Sequence, residues 1–334
     1  YWHGLFGGIY YNHLRHALYH EVLESDARLR ARERRPVSVE AVDFDGDRET
    51  EVVIRAGRLQ AFFRPSDAGV LAELDDLATR FNVTNVISRW RESYHAGADL
   101  THAGEGEGGV ASPHEQAVGI SAADLAGRAF DTLPLRSLRD FAATGALDPA
   151  RLTRFEGMTL ASGRPDSWQP TAHGFTMHVR RPGLAFERTV AADPEGSLQI
   201  AWNLDEVRGD WFGTLLALSL LTPRDADRSR WVTAAGATTT DDPGDRLDRP
   251  AVSGFGLEDR VFGFRLEVAA DPPVHLVAAP VETLQRAEVR FESAYQGTIF
   301  ALCWRAPGES EPPSAAARRP RLILRFTDAR PGKP

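Results

Sequence analysis

Residues 37–64 read VSVEAVDFDGDRETEVVIRAGRLQAFFR. Apolar and β-branched residues recur in three short runs, VSVEAVD, ETEVVIR and RLQAFFR, separated by Asp and Gly. Side chains on a strand alternate between faces with a period of two, and Asp and Gly supply the tight turns between strands. The stretch therefore predicts strands and turns. Upstream the rhythm differs: between 9 and 30, Leu14, Leu18 and Val22 recur every four residues while Arg15, Glu21 and Glu24 fall away from them. That is the pattern of a helix with Leu14, Leu18 and Val22 as its apolar face, and Pro36 marks its stop.

Downstream, RFNVTNVISRWRESYH reads as an exception to the strand rhythm. Val83, Val86, Ile87, Trp90 and Tyr94 predict a short amphipathic helix over 84–95, capped by Asn82 or Thr84. Residues 97–118 and 307–320 have the composition of surface loops. From 174 onward strand-like runs dominate: FTMHVRR, LAFERTVAA, LQIAWNL, WFGTLLALSLL, RWVTAA, VFGFRLEVA, VHLVAAP, TLQRAEVRF, GTIFALCW and RLILRF. There is no βαβ rhythm and no fixed-period repeat, so a mainly β chain is expected. It would be a large β-sandwich over 37–334 preceded by a short helical segment over 1–36.

Composition narrows the partners. Of the 334 residues, 47 are acidic and 39 basic, giving a net charge of −8. The one basic run, RLRARERR at 28–35, contains Glu33, so no nucleic-acid partner is expected. No apolar run approaches the ~20 residues that cross a bilayer, so no membrane partner is expected either. The single cysteine, Cys303, lies in the strand-like run IFALCWRAP and reads as a buried thiol, compatible with a cytoplasmic protein.

Several motif classes are absent. GLFGG is too short for a dinucleotide-binding turn, and neither HExxH nor a CxxC pair occurs. No GxSxG elbow supports a triad. Asp75 and Asp76 in AELDDLAT read as a turn and a surface charge, and Glu282 and Glu292 as solvated strand positions. Asp43, Asp45, Asp47, Glu49 and Glu51 stand at alternate positions around Gly46. Calcium takes several converging oxygen ligands, so Asp43, Asp45 and Asp47 are candidate metal ligands. A Gly46-centred hairpin turn with Asx bonding accounts for the same residues. Trp202 and Trp304 read as core residues, and Trp211 in RGDWFG as an edge residue.

The opening YWHGLFGGIYYNHLRHALY, with no initiator methionine, reads as the interior of a longer protein. It resembles the last conserved stretch of the catalytic part of glycoside hydrolase family 57, the α-amylases and 4-α-glucanotransferases. AGRLQAFFRPSDAGVLAELDDLATRFNVTNVISRWRESYH at 56–95, LQIAWNL at 198–204, LSLLTPRDADRSRW at 218–231 and PVETLQRAEVRFESAYQGTIFALCW at 280–304 resemble the same proteins' carboxy-terminal domain. The resemblance implies a galactose-mutarotase-like supersandwich, with a helical segment closing over a substrate cleft.

It also implies an α-glucan or maltooligosaccharide as partner, met through an amino-terminal catalytic barrel. Trp2 and His3 are then candidate substrate-binding residues, while Tyr1, Trp2 and Phe6 as a packing seam is the alternative. Retaining glycoside chemistry needs two carboxylates ~5 Å apart. In the family both stand in the barrel, so no catalytic residue is expected here and the chain alone is expected to be inactive. A non-catalytic carbohydrate-binding or structural sandwich is the alternative in view, a generic protein-interaction domain a third, and a homodimer is among the partners considered. His173, His178 and His275 stand at unrelated spacings, which gives no support to independent mutarotation.

Overall fold

The computed structural model describes residues 8–30, 35–92, 95, 125, 128–225, 229–233, 242, 244–286, 291–306 and 319–329. The expected loop over 97–118 and all but the last two residues of the one expected over 307–320 lie outside the described residues, as do Trp2 and His3.

The hairpins read from residues 37–64 form as expected. Strands β1 (Val37–Val42), β2 (Glu51–Ala56), β3 (Leu59–Arg64), β4 (Val70–Asp76) and β5 (Phe81–Asn82) make a five-stranded antiparallel sheet in chain order. The large sheet takes β6 (Arg139–Ala143), β7 (Met158–Leu160), β8 (Ser167–Thr171), β9 (Gly174–Arg181), β10 (Leu184–Ala192) and β11 (Ser197–Val207). It continues with β12 (Trp211–Leu218), β13 (Ser229–Thr233), β14 (Leu247–Asp259), β15 (Phe264–Arg286), β16 (Phe291–Arg305) and β17 (Arg321–Asp328). Its order is β7-β6-β12-β16-β15-β17-β11-β10-β9-β8, with β14 also on β15 and β13 on β14.

Alternation explains the layers. Along β16, Phe300, Leu302 and Trp304 join the core between the two sheets, where Val52, Ile54, Phe63 and Leu74 meet Phe175, Phe186, Trp202 and Phe212. Ile299, Ala301 and Cys303 point the other way, into a second core with Phe141, Trp211, Leu215 and Val277. The short helix α2 (Pro149–Arg154) covers that second core through Leu152 and is capped by the Asp148 carboxylate. Both faces of β16 are covered there, which is why IFALCW is apolar without a break. On β17 only one face is covered, and the sequence alternates accordingly. Cys303 is buried in the second core, and burial pushes its thiol pKa up.

Helix α1 (Asn12–Arg30) forms where expected but faces the other way. Leu14, Leu18 and Val22 are 40%, 52% and 62% exposed, whereas Arg15, His16 and Leu23 are buried. The reason is polar complementarity beneath the helix. Arg15 Nε donates to Asn85 Oδ1 at 2.9 Å and its Nη2 to the Asn85 carbonyl at 3.2 Å. The His16 ring sits 4.7 Å from Phe81 and 4.6 Å from Phe262, centroid to centroid. Tyr19 hydrogen-bonds the Glu73 carboxyl.

The helix expected over 84–95 is a second correction: the described residues there, 84–92 and 95, form no α-helix. The backbone bonds outward instead of to itself. Asn82 Oδ1 accepts from both Thr84 N (2.8 Å) and Thr84 Oγ1 (2.9 Å), and Thr84 Oγ1 accepts from Leu74 N (2.8 Å). Ser219 N donates to the Val83 carbonyl at 2.7 Å, and Arg89 N to Asp131 Oδ2 at 2.6 Å. Asn and Thr compete for local backbone groups in this way and so divert the chain from helix.

One ion pair ties the layers together. Arg188 of β10 is fully buried, and its Nη1 donates to Asp140 Oδ2 of β6 at 2.7 Å and to the Leu138 carbonyl at 2.9 Å. Its Nη2 donates to the carbonyls of Ala68 (2.8 Å) and Gly69, in the turn between β3 and β4. Gly69 has φ +62°, and a Cβ there would overlap Met177 and Arg188. The turn must therefore carry glycine.

Two outcomes follow from these contacts. Arg188→Met leaves Asp140 charged and unpaired in the core, and urea unfolding should show a loss of about 3–5 kcal/mol. Arg188→Met with Asp140→Leu should recover part of it. His16 has its pKa lowered to about 4, first by burial and then by neighbouring His20. A depressed histidine contributes stability that is full above its unfolded value and is lost as pH falls through the folded one. Between pH 7 and pH 4 the wild type should therefore lose about 2–4 °C more in Tm than His16→Phe, the equivalent of roughly 1–2 kcal/mol in a sandwich of about 300 residues.

Candidate functional site

The chain enters the described structure at a 3-10 turn, Gly8–Tyr10, immediately before α1. Tyr10 there meets a shelf built from the irregular segment after β5. Its hydroxyl donates to Glu92 Oε1 at 2.7 Å, and its carbonyl accepts from Gln296 Nε2 of β16 at 2.8 Å. Glu92 N donates to His95 Nδ1 at 2.9 Å. An Nδ1 that accepts leaves Nε2 protonated, and Nε2 donates to the Leu284 carbonyl at 3.2 Å. Burial lowers the His95 pKa, which favours that neutral tautomer. The imidazole is thus a fixed strut, with both nitrogens committed.

The rest of the shelf is aromatic and charged. Trp90 is 43% exposed, the Phe130 ring lies 5.3 Å from that of His95, and the Arg91 guanidinium sits over Phe130. Arg128 Nη1 donates to Ser293 Oγ at 3.0 Å. Trp90, Glu92 and Arg128 line the same cleft as Tyr10 and Glu282. The segment is held by Arg89, whose Nη2 and Nε reach Asp131 at 2.5 and 3.1 Å, both residues being buried. An exposed indole face beside a carboxylate and a guanidinium suits a hydroxyl-rich ring: the face takes the C–H side and the charged groups take hydroxyls. The carboxylates here are engaged structurally, Glu92 by Tyr10 and Glu282 by Ser293 and Arg224. No acid–nucleophile pair is assembled among the described residues of the shelf.

The acidic turn before β2 brings two of the three candidate metal ligands together. Asp43, Asp45 and Glu51 bring one oxygen each to within 4.8 Å of one another, and Asp47 is not in that group. Arg64 enters the cluster, with Nη2 on Asp45 and, at 2.9 Å, on Asp47, and Nε 3.5 Å from Glu51 Oε1. Asp43 accepts from the backbone N–H groups of Gly46 (2.9 Å) and Arg48 (3.1 Å), an Asx-type turn. Arg64 is the member that spacing could not reveal, because it arrives from the next strand.

Asp75 and Asp76 correct the reading as turn and surface charge: both are fully buried. Asp76 takes a two-pronged bond from Arg58 at 2.7 and 2.6 Å and accepts from Thr79 Oγ1 at 2.6 Å. Arg58 also reaches Asp328 of β17 at 2.6 Å. Asp75 hydrogen-bonds Glu73, and Gln60 Nε2 donates to it at 3.3 Å. Burial pushes the Asp75 carboxyl well up, and the neighbouring Glu73 pushes it further. Trp202 and Trp304 lie in the core as expected. Trp211 offers no free face: it is 8% exposed, Arg305 lies 3.9 Å over its ring, and its indole N–H donates to the Gly145 carbonyl. His178 pairs with Glu187 and His275 with Asp248, on strands separated by β17, β11 and β10.

These features define a two-sheet antiparallel sandwich with a helix docked on its small sheet and a polar, aromatic shelf at the helix start. Residues 42–313 match the family model Alpha-amylase/4-alpha-glucanotransferase, C-terminal, and residues 1–29 match Alpha-amylase/4-alpha-glucanotransferase, middle domain. The chain belongs to the α-amylase/4-α-glucanotransferase family. It is 23% identical over 314 residues to a 4-α-glucanotransferase of Thermococcus litoralis, covering 93% of this chain and 45% of that protein. It is 34% identical over 96 residues to α-amylase 1 of Dictyoglomus thermophilum, covering 29% of this chain and 14% of that protein. The crystal structure of the T. litoralis 4-α-glucanotransferase superposes with a TM-score of 0.69 at 16% identity, over 98% of this chain and 46% of that one. The chain thus spans less than half the length of these relatives.

Proposed function

We propose that this chain is the carboxy-terminal part of an α-glucan-acting enzyme, a 4-α-glucanotransferase or an α-amylase. The match of 42–313 to the family's C-terminal model, with 1–29 on its middle-domain model, carries the reading. Hydrolysis or transfer takes place in an amino-terminal portion of the kind that makes up the remaining length of the relatives. The sandwich supports that portion. Trp2 and His3 reach the glucan from the segment that leads into Tyr10, the indole stacking on a sugar ring and the imidazole meeting a hydroxyl. The shelf carries the same chain of sugars past Trp90, Glu92 and Arg128. No described helix is long and apolar enough to cross a membrane, and the proposed location is the cytoplasm.

The chain itself should therefore bind maltooligosaccharides. Titration calorimetry of maltoheptaose into the 334-residue protein should give a Kd that Trp90→Ala raises about tenfold, equivalent to ~1.4 kcal/mol. Tm should stay within about 1 °C, because Trp90 is 43% exposed. Unchanged affinity in Trp90→Ala, or no binding by the wild type, would remove the shelf from the glucan path.

A further inference from the structure

The outward side of α1 carries a strip of large apolar side chains. Leu14, Leu18, Val22 and Leu29 are 40%, 52%, 62% and 78% exposed. The first three succeed one another every four residues and so stack along one side of the helix. A surface helix ordinarily turns such a stripe toward its own core, and here the core side is taken by Arg15, His16, Tyr19 and Leu23. Leaving four aliphatic side chains in water while burying an arginine makes sense where something else covers them.

The occupant follows from three observations. Residues 1–29 match a middle-domain model and 42–313 a separate C-terminal one, so α1 belongs to a domain other than the sandwich beneath it. The T. litoralis relative is more than twice as long as the region this chain matches. Of the charges near the stripe, Glu24 pairs within the chain with Arg28 and Arg80, each at 2.7 Å, and Glu21, three residues on from Leu18, is 82% exposed with His20 at 3.5 Å. The partner surface that fits is therefore apolar, with room for one cation beside Glu21. A stable complex between free proteins buries ~800 Å² per partner, and four aliphatic side chains on one helix supply roughly half of that. An area of that size suffices when the partner is tethered, because the tether raises its effective concentration.

We infer that the Leu14–Leu18–Val22–Leu29 face of α1 is the seam on which the sandwich docks the amino-terminal portion of its own polypeptide, through an apolar helical surface of that portion. The inference rests on the reading of this chain as the carboxy-terminal part of a longer enzyme.

An introduced thiol tests it, since Cys303, the chain's sole cysteine, is buried. Leu18→Cys is labelled with a maleimide in two contexts, the 334-residue chain and the longer polypeptide encoded by the same gene, and the modified site is read by peptide mapping. Arg208→Cys, 80% exposed on the turn between β11 and β12 and away from α1, serves as control. The expected result is fast labelling of Leu18→Cys in the 334-residue chain, at least ~100-fold slower labelling in the longer polypeptide, and fast labelling of Arg208→Cys in both. Equal rates for Leu18→Cys in the two contexts overturn the inference, as does a gene that encodes nothing ahead of Tyr1. Labelling of the 334-residue chain that slows as its concentration rises overturns it too, by assigning the stripe to a homodimer. Shielding of Leu18→Cys in a longer polypeptide with no action on maltooligosaccharides leaves the docking seam standing and sinks the proposed function instead.

Discussion

The Arg188 guanidinium is the constraint on which the sandwich depends. It stands at zero exposure between the sheets and binds Asp140 of the large sheet, the Leu138 carbonyl just before β6 and the Ala68–Gly69 turn of the small sheet. Burying a cation is costly unless its donors are met by a charge and several carbonyls. Its position therefore fixes that of β6, β10 and the turn between β3 and β4. The Arg58 guanidinium repeats the arrangement at the rim, joining Asp76 of β4 to Asp328 of β17. The hydrophobic core alone would tolerate sliding of one sheet over the other; these arginines admit one alignment. That alignment in turn sets β5 and the segment after it, from which Trp90, Glu92 and His95 are presented.

The strands were legible in the sequence because burial on one or both faces leaves a period-two or continuous apolar signature, as β17 and β16 show. The helix existed where its periodicity placed it, yet its orientation was not legible. Amphipathicity states that a helix has two faces; it does not say which neighbour claims each. In α1 the polar face meets Asn85, Glu73 and the rings of Phe81 and Phe262, and the apolar face looks outward. Residues 83–92 misled for a related reason, since Asn82 and Thr84 bond backbone groups that a helix would have used. The buried pair Asp75–Asp76 was hidden because its partners Gln60 and Arg58 come from the strand alongside and the turn before it, and only Glu73 stands on the same strand.

The candidate site was less legible than the fold. Family resemblance directed attention to Trp2 and His3, which lie outside the described residues. The shelf depends on Tyr10, Trp90, Glu92, His95 and Arg128, five residues spread over more than a hundred positions and joined only by folding. No spacing rule gathers them. The single local signal was the W-R-E run at 90–92, and it was absorbed into a helix reading that the structure does not bear out. The acidic turn at 43–51 was legible as a turn, and its arginine was not.

The proposed role of this chain, a carboxy-terminal part that binds and supports without supplying the chemistry, has one most direct test. The purified 334-residue chain and the longer polypeptide from the same gene are incubated with maltoheptaose, and product formation is followed for both. The account gives turnover by the longer polypeptide and none by the 334-residue chain, since its shelf carboxylates are engaged by Tyr10, Ser293 and Arg224. Turnover by the 334-residue chain, abolished by Glu92→Gln or Glu282→Gln, would contradict it.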